Sequence, residues 1–171
     1  MVDYVHFRKL LDDKAINAAI IEQFSQYRDS DEMRRSHHFA GRYENLYLDI
    51  TKVPAMQVVL EEAKKFASEI LSLNEPLKSG FWFNLMEPGQ VTQEHTHDDD
   101  DECLSGVYYI DTPENSGDLL IKTPTETITI SPQSGQFIFF PPNIPHQVTE
   151  NKSNASRLSV GMNFGLERVK E

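Results

Sequence analysis

Three histidines in the second half of the chain, His95, His97 and His146, have types and spacing suited to holding a metal ion, since neutral imidazole is the commonest protein ligand for one. The first two end the stretch Gly-Gln-Val-Thr-Gln-Glu-His-Thr-His, residues 89–97. On a strand, residues 95 and 97 point to the same face, so their rings converge. By itself a His-x-His pair reads equally well as two surface histidines, and the third histidine shifts that balance. His146 closes Phe-Ile-Phe-Phe-Pro-Pro-Asn-Ile-Pro-His, where an apolar strand runs into a turn stiffened by prolines and delivers one imidazole to a fixed place. Alone, it would read as a hydrogen-bonded core histidine.

A second set of residues suits an anion. In Ser-Arg-Leu-Ser-Val-Gly-Met-Asn-Phe, Leu158, Val160, Met162 and Phe164 alternate with Arg157, Ser159, Gly161 and Asn163, which makes a strand with one apolar and one polar face. Arg157 on such a face either meets solvent or stands in a cavity, where its planar fork grips a carboxylate. Ser159 shares that face and adds a hydroxyl. Tyr109, in Leu-Ser-Gly-Val-Tyr-Tyr-Ile, is placed to bring a phenol to the same carboxylate. Ordinary aromatic packing in a sheet is the plainer reading for Tyr108 or Tyr109 taken singly.

These groups sit on the part of the chain that reads as strands. From Gly80 onward, short runs of β-branched and aromatic residues are punctuated by glycine and proline, which predicts about eight strands, over residues 81–87, 90–97, 104–110, 117–122, 125–130, 136–140, 145–149 and 156–164. Such a set suits a mainly β fold, a jelly roll or double-stranded β-helix over residues 80–166. Residues 1–75 read as mainly helical, with helices packed on one sheet. Ile16, Ala19, Ile20, Phe24 and Tyr27 recur at helical steps, and so do Met56, Val59, Leu60, Ala63, Ala67, Ile70 and Leu71 behind Pro54. The polar run from Arg28 to His38 between them reads as a surface loop in which His37 and His38 are solvated.

Composition narrows the function. A chain of 171 residues with 39% hydrophobic content fits one domain with a real core. It lacks both a run of about 18 apolar residues and a basic, greasy leader, so the expected location is cytoplasmic. Cys103 is the only cysteine, which excludes an intrachain disulfide and a cysteine-based zinc cluster; with no basic neighbour, it reads as a buried small side chain. A formal charge of −11 argues against nucleic acid and acidic membranes, which need a Lys/Arg surface. The partners expected are a small-molecule or peptide substrate, and a homodimer is left open. The five consecutive acids Asp98 to Glu102 read as a solvated loop, or as a patch that steers a basic substrate.

The order of these pieces, His95-Thr96-His97, then Leu104 to Ile110, then Gly135 to His146, then Arg157-x-Ser159, resembles the iron(II)- and 2-oxoglutarate-dependent oxygenases, over roughly residues 81–165. It is closest to the subgroup in which His-x-His precedes Ser-Gly-Val-Tyr-Tyr. The resemblance implies a double-stranded β-helix enzyme using Fe(II), with 2-oxoglutarate as co-substrate. It makes His95 and His146 iron ligands and Arg157 the co-substrate clamp, with Tyr109 and Ser159 as helpers. The sequence departs from the family at the middle ligand, where the usual facial triad has Asp or Glu and this chain has His97. Asp99 keeps the same strand parity and is the reserve ligand, while Gly89, six residues before His95, favours the pair His95 and His97. A weaker resemblance to the cupins implies four metal ligands, His95, His97, Glu102 and His146, with no catalytic need for Arg157.

Overall fold

Helical periodicity becomes two helices with one buried face each. In the computed structural model, which describes residues 3–97 and 101–168, α1 spans Asp13–Tyr27 and buries Asn17, Ile20 and Phe24. The second helix, α2, spans Met56–Leu71 and buries Met56, Val59, Ala63 and Ala67. Steps of three and four keep each set on one stripe of its helix, and that stripe needs an apolar partner.

The partner is a sheet. Among the described residues eleven strands, β1(His6–Lys9), β2(Arg34–Phe39), β3(Arg42–Tyr47), β4(Leu77–Met86), β5(Thr92–His95), β6(Glu102–Asp111), β7(Leu119–Lys122), β8(Thr127–Ile130), β9(Gln136–Phe140), β10(His146–Val148) and β11(Arg157–Leu166), form two antiparallel sheets. The larger has the order β1-β9-β6-β11-β4-β3-β2 and the smaller β5-β10-β7-β8. The larger sheet turns one face to the helices, where Phe24 meets Phe83 at 4.8 Å between ring centroids and Phe66 meets Phe137 at 5.5 Å. Its other face covers the smaller sheet across a second apolar cluster that includes Ile121, Ile138 and Phe140. This is the mainly β jelly roll that the sequence predicts, with helices on one sheet.

Each of the eight expected strands is present, with ends shifted by a few residues. Three others were not expected and alter the reading of residues 1–75. The run taken for a loop becomes β2 from Arg34 onward and pairs with β3. Its composition misleads because β2 is the outermost strand of its sheet and water solvates most of its side chains, so no apolar alternation is needed. The turn into β3 misleads as well. Ala40 and Gly41 both have positive φ, 49° and 79°, which gives the two-residue geometry usually announced by Asn-Gly. His37 and His38 are exposed, as read, but on a strand.

Candidate active site

Strand β11 runs between β4 and β6, and its register decides which side chains share a face. Ser159 stands opposite Asn84 on β4 and Tyr109 on β6, and Gly161 opposite Trp82 and Val107. The odd-numbered residues of β11 therefore face the smaller sheet with Tyr109, while Leu158, Val160, Met162 and Phe164 join the core under the helices. The adjacent tyrosines split accordingly. Tyr108 points to the helices and donates to Asn17 Oδ1 at 2.7 Å, and Tyr109 points into the cavity between the sheets. Gly161 has no side chain because the Trp82 indole lies against its backbone; any Cβ there would overlap the ring.

The smaller sheet supplies the histidines. His95 and His146 are cross-strand partners on β5 and β10. His97 lies two residues beyond the end of β5 rather than on it. Its backbone N–H donates to Pro142 O at 2.7 Å, which holds the ring beside the others. The ligand atoms of the three imidazoles all lie within 4.8 Å of one another. His97 Nε2 is 3.1 Å from His146 Nε2, close to the roughly 3 Å between two nitrogens bound at right angles about 2.1 Å from one ion. His95 Nδ1 lies 2.7 Å from Gln93 O and His146 Nδ1 3.0 Å from Ile144 O. A carbonyl can only accept, so each Nδ1 carries the proton and each Nε2 presents a lone pair to the shared centre.

His146 is buried, and desolvation, with His95 and His97 adjacent, pushes its pKa down to about 3. It is therefore neutral, and ready to ligate, throughout the physiological range. The same shift links stability to pH. Below the ordinary value of 6.5 the unfolded chain takes up a proton that folded His146 refuses, so stability falls as pH falls. This residue should cost the metal-free protein about 1.5 kcal/mol between roughly pH 6.5 and pH 5. Unfolding midpoints of parent and His146→Asn across that range check it; parallel pH profiles would mean that His146 takes up its proton in the fold as readily as in the unfolded chain.

The opposite side of the cavity is lined by buried donors. Arg157 is 1% exposed, and its Nε and Nη2 have no hydrogen-bond partner. Its Nη1 reaches only the Met86 sulfur, at 3.3 Å. Tyr109 Oη is likewise buried and unpartnered, and its ring lies 5.4 Å from Arg157 Cζ. Burial raises the Tyr109 hydroxyl to about 12, so it remains a neutral donor. Buried donors without acceptors are rare and costly, and a guanidinium and a phenol side by side suit a carboxylate. Three clustered imidazoles, two of them with inward lone pairs, and these orphaned donors line one cavity with Ser159, so the residues present fit Fe(II) together with 2-oxoglutarate.

All six residues singled out from the sequence thus reach one cavity. Asp99, the reserve ligand, lies outside the described residues, as do Asp98 and Asp100. Among the described residues no carboxylate joins the imidazole cluster. Glu102, the fourth ligand in the cupin arrangement, instead lines an outer groove with Lys78 and Asp101. Asp101 pairs with Lys78 at 3.0 Å, so the acidic run is not wholly a self-repelling solvated stretch. Cys103 is half-buried rather than buried. Trp82, Asn84, Thr92 and Phe140 also line the cavity and were not singled out. The parity of Trp82 and Asn84 on their predicted strand was the available signal, but it acquires meaning only through the register with β11.

Comparison with known proteins agrees with this geometry. The profile described as the 2OG-Fe(II) oxygenase superfamily matches residues 81–165. No curated protein sequence matches the chain. Among solved structures, a prolyl-4-hydroxylase from Pseudomonas putida is 19% identical with a TM-score of 0.74, over 96% of this chain and 93% of that one. A prolyl hydroxylase from Trichoplax adhaerens, solved with a peptide fragment of the hypoxia inducible factor oxygen degradation domain, is 12% identical with a TM-score of 0.75, over 96% and 84% of the two chains. SnoK, a non-heme α-ketoglutarate-dependent carbocyclase from nogalamycin biosynthesis, is 13% identical with a TM-score of 0.72, over 94% and 79%. These likenesses show a shared fold. Among the described residues no helix is long and apolar enough to cross a membrane. With the family profile spanning residues 81–165, which include all six of these residues, the chain belongs to the 2OG-Fe(II) oxygenase superfamily.

Proposed function

We propose that this oxygenase hydroxylates a C–H bond of its substrate, holding Fe(II) on His95, His97 and His146 and 2-oxoglutarate on Arg157, Tyr109 and Ser159. The observation that carries the reading is the pairing, in one cavity, of inward-facing imidazole lone pairs with buried donors that lack acceptors. Bound iron, 2-oxoglutarate and dioxygen would together supply the oxidation, one oxygen atom passing into succinate as 2-oxoglutarate loses carbon dioxide and the other into the C–H bond of the substrate.

The protein's own contribution is placement and the exclusion of water. Gln93 O and Ile144 O fix the tautomers of His95 and His146. Arg157 and Tyr109 orient the far carboxylate of 2-oxoglutarate from a dry wall, where charge-assisted hydrogen bonds are strongest. Trp82 packs beside His97, with ring centroids 5.2 Å apart. It lines both the inner cavity and an outer groove that also touches Tyr47, Gln93 and Asn163. A small molecule or a peptide segment reaches the ion past this side chain. The free thiol of Cys103 and the ferrous ion suit a reducing compartment, which supports a cytoplasmic enzyme.

An anaerobic titration of the Fe(II)-loaded protein with 2-oxoglutarate tests the reading. The expected result is a visible charge-transfer band that requires protein, iron and 2-oxoglutarate together. A four-ligand cupin or a metal-free binding domain shows none.

A further inference from the structure

Strand β3 carries two charged side chains that are almost completely buried, Arg42 at 9% exposure and Glu44 at 4%. Burying charge is costly unless each group is paired and hydrogen-bonded, so their partners matter. Arg42 Nη2 donates to Val91 O at 2.9 Å and to Thr92 Oγ1 at 3.0 Å, and its Nη1 donates to Asn84 Oδ1 and Leu85 O, both at 3.2 Å. Glu44 Oε1 accepts from the Gln93 backbone N–H at 3.0 Å. Their partners on residues 91–93 lie at and just before the start of β5.

That location is telling because β5 is the edge of its sheet and pairs only with β10 among the described residues. Val91 C=O and Gln93 N–H are groups that a further strand would have taken. Arg42 and Glu44 take them instead, and Arg42 also fastens the segment to β4 of the larger sheet. The held segment includes Gln93, whose carbonyl receives the Nδ1 proton of His95.

We propose that Arg42 and Glu44 are positioning residues for the metal centre, standing in for the missing neighbour of β5 and fixing the Gln93 peptide so that His95 turns its Nε2 inward. The proposal rests on the reading of His95 as a metal ligand. Groups that orient a ligand in this way typically contribute about 10- to 100-fold to metal affinity.

The test is titration of the metal-free full chain with Co(II) as a spectroscopic stand-in for Fe(II), read as a Kd and a ligand-field spectrum, alongside the thermal midpoint of the metal-free protein. Glu44→Ala, which removes the acceptor, is expected to bind Co(II) about 10- to 100-fold more weakly with an altered spectrum. Glu44→Gln keeps an oxygen for the Gln93 N–H and is expected to recover most of the affinity. Arg42→Lys keeps the charge but cannot span both segments; it is expected to lose affinity while still folded, and so stands in if Glu44→Ala fails to fold. His95→Ala serves as the reference. If it binds as well as the parent, the ligand reading fails. If it loses metal while Glu44→Ala and Arg42→Lys keep parental affinity and spectrum, only the present proposal fails. Equal weakness in Glu44→Gln and Glu44→Ala also overturns it, because the acceptor would not be the active feature.

Discussion

Replacing Arg157 with alanine is expected to weaken 2-oxoglutarate binding by roughly 30- to several-thousand-fold, from a loss of about 2–5 kcal/mol at 1.4 kcal/mol per decade. The size follows from burial. The guanidinium is nearly sealed from water, with two nitrogens lacking any protein partner, so a bound carboxylate meets donors with no competing acceptor and little solvent to screen them. Arg157→Lys should recover only part of the loss, since an ammonium keeps the charge without the fork. Binding of Fe(II) without co-substrate should be unchanged, because residue 157 touches none of the imidazoles in the proposed arrangement. Calorimetric titration with 2-oxoglutarate, beside a separate metal titration, checks both halves. Unaltered 2-oxoglutarate affinity, or loss of metal instead, would make Arg157 a structural residue.

The second large effect is expected at the histidines. His146→Ala and His95→Ala should each abolish stoichiometric Fe(II) binding while the fold, followed by circular dichroism, persists. Their rings meet across β5 and β10 with centroids 4.2 Å apart, and among the described residues no His, Cys, Asp or Glu besides His97 joins them to replace the lost lone pair. Full occupancy in either variant would sink the assignment. His97→Ala should behave in the same way, whereas metal loss in Asp99→Ala with His97→Ala unaffected would restore the conventional carboxylate triad.

Much of this site was legible because a strand's period of two converts spacing into direction. Arg157 and Ser159, or Tyr108 and Tyr109, can be assigned to faces once the apolar partners of their strand are known. His97 shows the limit. Its place beside His95 was inferred from strand parity, yet the strand ends at residue 95, and what holds His97 is a hydrogen bond to Pro142, a contact between distant segments. The same limit hid Arg42 and Glu44. In sequence they are two charges beside a polar run, and their role appears only when β3 crosses to the free edge of β5. Strand β2 escaped for the opposite reason, because a solvated edge strand has no need of an apolar face. Trp82 and Gly161 form a pair that register alone creates.

The central position of β11 also bears on how the chain reaches its folded state. Among the described residues it follows every other element in chain order, yet it lies between β4 and β6 along almost its whole length. During synthesis, β4 and β6 must therefore wait with unsatisfied backbone edges until the last strand arrives, and so must Phe83 and Phe139, which lie on strands of that sheet. Such an intermediate exposes strand edges and aromatic surface together, the combination that most favours association between nascent chains. Pairings so distant in sequence also slow folding, since loop closure must precede any reward from contact. The strand that brings in Arg157, the proposed co-substrate clamp, is thus the one that closes the sheet, and a chain released before it would lack that residue and be prone to aggregate.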